Sequence, residues 1–412
     1  MTRAAVAALS ALALLGAGCQ SPQRRARRPR APEAPLEDVP AVDAVSAGRC
    51  VRRSSAPELI AAGAGIESLD VAWNGSSFGV AWSEVIDGEE AVMFAQASPD
   101  RPSGRAPLRV SERRFVARTP TVAWNGAGWS VLYSGGVREA GDIYQARVDA
   151  RGTAVGRPWR MTRGARFDGD PRFVANGRGF GLAWTARELD RRWSLYAQPL
   201  DRWDAPLSPP TRLLNTSVSL AATNLLWTGS AWAVTCVAWG REVYAIDVAR
   251  MEANGQARGS ITRANSTPLG GAEPSHRYDV AWNGREFIVA WSELRDGVWR
   301  IFLRRLSARG NPLEPERALD DGDARAESPS LTSVGEGYIA LAYELVGEGR
   351  SRVMLRVIDP EGRTAGEPVA LPGYEGASIP AAEWSGEVLG VAVRAPTGVA
   401  FHRVRLGPCG AG

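Results

Sequence analysis

Apolar and polar positions along this chain recur with a period close to fifty residues. VAWNGSSFGVAWSE at Val71 to Glu84 returns almost unchanged as VAWNGREFIVAWSE at Val280 to Glu293, and looser versions begin at Val122, Phe173, Leu225, Leu331 and Ala382. The seven starts are 51, 51, 52, 55, 51 and 51 residues apart. Each copy opens on a short apolar run that stops at Asn-Gly, or at a variant such as Thr228-Gly229 or Ser385-Gly386. Between apolar runs that dipeptide signals a hairpin.

Beyond the turn the pattern alternates with period two. Phe78, Trp129, Phe180, Trp232, Phe287, Tyr338 and Leu389 share a strand face with Trp82, Tyr133, Trp184, Cys236, Trp291, Ala342 and Val393, each four residues on. An aromatic layer at equivalent places predicts packing between neighbouring repeats in preference to a ligand-stacking platform. A third strand follows a charged turn, as in DIYQARVD from Asp142 and RVMLRVID from Arg352, and a brief, Arg-bearing fourth closes the repeat, as in PLRVS from Pro107 and ERALD from Glu316. Short outer strands protect a sheet edge from pairing with other chains. Four antiparallel strands in seven copies predict an all-β, seven-bladed β-propeller over residues 49–412, none of whose blades buries its faces alone.

The last copy supplies only three strands, ending at Val404-Arg405-Leu406. Ahead of the first copy, Pro57-Glu58-Leu59-Ile60-Ala61 reads like the fourth strand Pro368-Val369-Ala370-Leu371-Pro372. The N-terminal segment is therefore expected to complete the last blade and close the ring. By the same register Cys50 and Cys409 fall in one cut loop, within reach of a disulfide in an oxidising compartment. That bond closes a very long loop, worth roughly 5 kcal/mol in the chain-entropy model. Cys236 is expected as a buried strand residue.

The prolines at 120, 171, 329 and 380, followed by Ala-Trp-Asn-Gly and an Ile-Tyr type third strand, resemble the tandem propeller repeats of secreted and lipid-anchored bacterial proteins, and more remotely the TolB-type propeller. The likeness covers roughly residues 54 to 409, and its motifs are structural, so it implies a fold and hardly any activity.

Composition adds an address. Arg3, the apolar run from Ala4 to Leu15 and small residues before Cys19 are laid out as a secretory signal, too short to span a bilayer. Gly16-Ala17-Gly18-Cys19 is similar to the lipobox of bacterial lipoproteins, which implies residues 1–19 as a signal peptide with lipidation at Cys19. Gln20 at the next position implies the outer membrane; secretion without an anchor is the alternative. Residues 20–48, rich in Pro, Arg and Ala and free of aromatics, read as a disordered tether, with five Arg between Arg24 and Arg30 available to anionic head groups. All 49 basic residues are Arg, yet the net charge is only +4, which a GC-rich genome explains more simply than phosphate binding. With no basic stripe and an extracytoplasmic address, nucleic acid is not an expected partner.

The chain offers little for catalysis. It has two histidines, His276 and His402, and no Gly-x-Ser-x-Gly elbow. Asp168-Gly169-Asp170 and Asp320-Asp321-Gly322-Asp323 read as Asp-rich turns between blades rather than calcium loops. No catalytic, metal or cofactor residue is assigned. Glu84, Glu293 and Glu344 occupy equivalent places after the second strand, on one face, where rim charge explains them as well as a glycosidase pair does. The loops of that face vary most, and repeat arrays place binding surfaces there. The candidate binding face comprises Glu84, Arg138, Glu188, Trp193, Arg241, Glu293, Trp299 and Glu344. The expected function is non-enzymatic binding of a protein or glycan partner by a lipid-anchored extracytoplasmic propeller, the alternative being a polysaccharide-acting hydrolase or lyase.

Overall fold

The computed structural model describes residues 48–409 except 64, 103–104, 114, 138–139, 165–166, 241–242, 267–277, 320–321, 323, 348 and 374. The signal segment with Cys19, the tether, and Arg138, Arg241, His276 and the three aspartates at 320, 321 and 323 lie outside the described residues. Among the described residues there is no helix, only strands. In the second repeat they run Val116–Trp124, Gly128–Val137, Ala140–Asp149 and Trp159–Arg160, each antiparallel to the one before. The Asn-Gly turns form as expected: Asn125 Oδ1 accepts from the N–H groups of Ala127 and Gly128 at 3.0 and 2.8 Å, holding Gly126 at φ 90°.

Hydrogen bonding does not divide the strands into the seven separate sheets expected. Five blades stand free: four-stranded sheets from the first, fourth, fifth and sixth repeats, and a five-stranded one from the last. The second and third repeats share one eight-stranded sheet. A single parallel bridge between Phe167 and Gly141 joins them. A side chain at Gly141 would start 3.1 Å from the Phe167 ring, so the bare backbone is what lets the two strands meet.

In the last repeat Glu58–Ala62 pairs with the first half of Gly398–Pro408, as its sequence suggested. A second N-terminal strand, Arg49–Ser54, pairs with the other half. Cys50 was expected in a loop and instead lies in that strand, opposite Gly407, because Gly398–Pro408 runs on past the reach of Glu58–Ala62 and offers a free edge. Cys50 and Cys409 form a disulfide across 359 residues, with Cα atoms 5.0 Å apart.

The buried side chains fall into clusters between consecutive repeats. Trp82, Trp129, Trp232 and Trp291 are completely buried in them, as is Cys236. One cluster joins Phe78, Val80 and Trp82 of the first repeat to Ala381, Ala392 and Phe401 of the last. A large ring from one repeat sits over a small residue of its predecessor. A Cβ on Gly79 would lie 2.7 Å from the Trp129 ring, one on Gly181 2.9 Å from Trp232, and one on Gly390 2.8 Å from Phe78. Packing at this density leaves no room for added carbons. Gly79→Val should destabilise the fold by about 1–3 kcal/mol, seen as an earlier thermal transition with unchanged β signal by circular dichroism.

Candidate functional site: the central channel and the loop face

The first strands of the repeats pack side by side, and five of them carry a defect at the same place. Thr119, Asp170, Ala222, Ser328 and Ile379 take φ between 47° and 56°, inside the register shift of their strand pair. Four of them precede Pro120, Pro171, Pro329 and Pro380, which have no N–H to give the ladder. A bulge of this kind bends the strand and re-aims the side chains that follow. Here those are Thr121, Arg172, Asn224, Ser330 and Ala381, which line a channel of about 540 Å³ together with Asp70 and Asp279, at the same place in two first strands whose pairing is regular.

Most of this polar column is committed to the neighbouring repeat. Val122 N–H donates to Asp70 Oδ2 at 2.8 Å, Phe173 N–H to Thr121 Oγ1 at 3.4 Å, Leu331 N–H to Asp279 Oδ2 at 2.6 Å and Ala382 N–H to Ser330 Oγ at 3.1 Å. These N–H groups lie on the inner edge of a sheet, where no further strand can satisfy them. Arg172 reaches across to Asp70 Oδ1 at 2.9 Å. Burial alone would lower the Arg172 pKa; Asp70 and Asp279 outweigh it and raise it. Burial pushes the Asp279 carboxyl up, against Arg172 and the N–H donors that favour its charge.

Glu383 is the exception. It lines the channel beside Asp70, and among the described residues no donor reaches its carboxyl. Burial first, then the Asp70 charge, push its pKa up to about 8.

The face carrying the predicted residues is built differently from the expectation. Glu84 and Glu293 are not solvated rim charges: they are 7% and 0% exposed. Glu293 accepts from Trp291 Nε1 at 2.8 Å and pairs with Arg295, which covers the Phe302 ring at 3.8 Å and also pairs with Glu316. Burial raises the Glu84 carboxyl, opposed by the Trp82 indole. Glu84 is covered by the segment that precedes the first strand of its repeat; a Cβ on Gly63 would lie 2.3 Å from Glu84 Oε2. Glu344 is half-buried. Glu188 accepts from Tyr196 Oη at 2.7 Å. Trp193 and Trp299, expected to be exposed, are half-buried, and Arg325 lies 5.7 Å from the Trp299 ring.

What this face does expose was not predicted. Val85 is 43%, Val137 67% and Leu189 77% exposed, at the second-to-third-strand hairpins of three successive repeats. Alternation along a strand could not reveal them, because the tip of a hairpin belongs to neither face. Asp168 and Asp170 lie within the strand Phe167–Ala175 rather than in a turn. Asp168 is buried and accepts from Trp184 Nε1 at 3.2 Å, its pKa pushed up to about 6 by burial, while Asp170 Oδ2 accepts from Ala222 N–H at 3.1 Å. His402 fills a strand interior, where burial and then Arg403 lower its pKa to about 4. No group of three potential metal ligands converges among the described residues.

No protein-family model matches the sequence, and no curated protein matches it. Solved structures do match. The chain is similar to a subtype N10 neuraminidase-like protein of A/little yellow-shouldered bat/Guatemala/060/2010, at 12% identity and TM-score 0.50, covering 78% of this chain and 100% of that one. It is similar to a puromycin-hydrolysing peptidase of Mycobacterium tuberculosis at 18% identity and TM-score 0.52, covering 82% of this chain but only 50% of the peptidase. An ulvan lyase of polysaccharide lyase family 25 matches at 9% identity and TM-score 0.50, over 85% and 95% of the two chains. At such identities the likeness concerns the fold alone. With the strand order and the channel, it defines this protein as a β-propeller.

A carboxyl whose pKa is raised on folding is more protonated in the folded than in the unfolded chain, so its contribution to stability falls as pH rises between the two values. For Glu383 that window runs from the ordinary carboxyl range near 4.5 to about 8. Glu383→Gln should therefore melt at a higher temperature than the parent at pH 8, with the gap closing by pH 5, as followed by calorimetry.

Proposed function

We propose that this chain is a non-enzymatic, lipid-anchored extracytoplasmic propeller whose seven repeats form one closed ring and whose loop face docks a protein partner. The closed seven-fold reading draws on the apolar clusters between every pair of consecutive repeats, including the last and the first, and on the single bridge that is all that fuses the second and third. The N-terminal strands and the Cys50–Cys409 bond then act as the clasp. Seven is also the number of copies in the sequence.

The observation that carries the docking assignment is the arc of Val85, Val137 and Leu189 on consecutive hairpins. Aliphatic side chains held out into water on adjacent tips suit a protein surface better than a sugar, and large exposed apolar groups rimmed by charge mark interaction sites. The channel carboxylates support a non-enzymatic role, since Asp70 and Asp279 are taken up by backbone donors of the next repeat. One observation favours the hydrolase or lyase alternative: Glu383, free of donors and with a raised pKa, stands beside ion-paired Asp70, the arrangement of an acid and its charged companion.

Capture of partners from an envelope extract compares the two. The full chain should retain a protein that is lost when Val85, Val137 and Leu189 are all changed to Ser, with the melting temperature unchanged. Cleavage of envelope polysaccharide by the parent, abolished in Glu383→Gln, would establish the alternative instead.

For the anchor, support comes from Cys19 in its lipobox-like setting and from a disulfide that needs an oxidising compartment. Changing Cys19 to Ser should move the protein from the detergent phase to the aqueous phase, and a parent already found in the aqueous phase would rule out lipidation.

A further inference from the structure

Opposite the loop face, the third strand of the second to sixth repeats ends in a tight turn whose fourth residue donates its N–H back to the first. Gly152, Gly255, Gly310 and Gly362 hold that fourth place, with φ from 81° to 92°. The third repeat departs from the pattern. Its turn is Asp201-Arg202-Trp203-Asp204, and Asp204 takes φ 67°, a conformation that a side chain makes costly.

The substitution is held in place from the second repeat. Asp204 is 2% exposed, and its Oδ2 accepts from Ser130 Oγ at 2.9 Å, Gln145 Nε2 at 2.7 Å and Arg147 Nη2 at 3.3 Å. Arg147 also donates to the Trp203 carbonyl at 2.9 Å. The same guanidinium lies 4.4 Å from the centre of the Trp159 ring, and that of Arg202 lies 4.8 Å from the Trp203 ring. A strained backbone and a buried carboxylate are thus used to fix a turn that holds Trp203 65% exposed, near Trp159 at 45%. Nothing in the fold requires a Trp there, since the other turns carry Arg151, Asn254, Arg309 and Glu361 at that place.

The charge presented is positive. Asp201 Oδ1 accepts from the N–H groups of Trp203 and Ala205 at 2.7 and 2.9 Å, and Asp149 Oδ1 from those of Arg151 and Thr153 at 2.9 and 2.8 Å, so the carboxylates of both turns face inward. We infer that this rim patch is a binding site for an acidic polysaccharide, with uronate rings laid on Trp159 and Trp203 and their carboxylates on Arg147 and Arg202. Flat indoles standing out of the surface match the C–H face of a sugar, and a guanidinium stacked on each ring is preorganised to meet an anion without losing further side-chain freedom.

Electrophoresis of the full chain through gels containing polygalacturonate, dextran or polyglutamate, at physiological ionic strength, tests this. Polygalacturonate should retard the parent and dextran should not. Trp203→Ala should weaken the interaction about tenfold without lowering the melting temperature. If that variant melts early, Arg202→Glu, at an exposed position, should give the same loss. The Arg-rich segment before residue 31 is present in parent and variants alike, so equal retardation of all of them would assign binding to that segment and overturn the inference. Absence of retardation by polygalacturonate would overturn it too. So would polyglutamate held as tightly as polygalacturonate with the same dependence on Trp203, which would make the partner an acidic peptide.

Discussion

The structure depends on aromatic side chains filling the space between one sheet and the next. A four-stranded sheet has two apolar faces and no helix to cover them, so each must find another sheet. In this chain the ring of one repeat lies over the smallest residue of the preceding one, Trp129 over Gly79, Trp232 over Gly181 and Phe78 over Gly390. The last of these joins the two ends of the chain with the contact used elsewhere within it. Stability in such an array is a sum of interfaces between neighbours. The Cys50–Cys409 bond adds a covalent tie within the sheet where the two ends of the chain pair.

A second constraint follows from bringing so many first strands to one axis. Their inner edges present N–H groups that no strand can pair, and an unmet donor away from bulk water costs about 1–3 kcal/mol. Polar side chains at one register answer this by accepting from the next repeat's backbone, as Asp70, Thr121, Asp279 and Ser330 do. Residues that would look like an active site in a list of charged groups are largely structural. Arg172 balances two of the carboxylates, and Glu383 remains the one acid in the channel with no donor.

Function is thereby displaced toward the periphery. The hairpin tips lie outside the apolar clusters that join the repeats, so their side chains are free to differ. Val85, Val137 and Leu189 crown one end, while Trp159 and Trp203 stand near the other, the latter on a strained turn that Asp204 ties to the second repeat.

The sequence by itself determined what is periodic. Asn-Gly, or another residue before Gly, at a fixed place specifies each first hairpin, because its left-handed glycine suits the tight turn, and aromatic residues four apart specify the buried face, because strands alternate. The strand before Pro57 and the depth of Glu84 and Glu293 were decided only by tertiary structure. Arg49–Ser54 pairs because an overlong partner strand exposes an edge, and the two glutamates are buried because the segment before the first repeat and the Arg295 guanidinium, respectively, close over them. The same holds for the joined second and third repeats, where a single contact between Gly141 and Phe167 suffices. The polar column at Asp70, Thr121, Arg172, Asn224, Asp279 and Ser330 was visible as letters at one register. Its meaning required the strands to converge, since a donor becomes unmet only when the geometry around it leaves no strand and no water to take its bond.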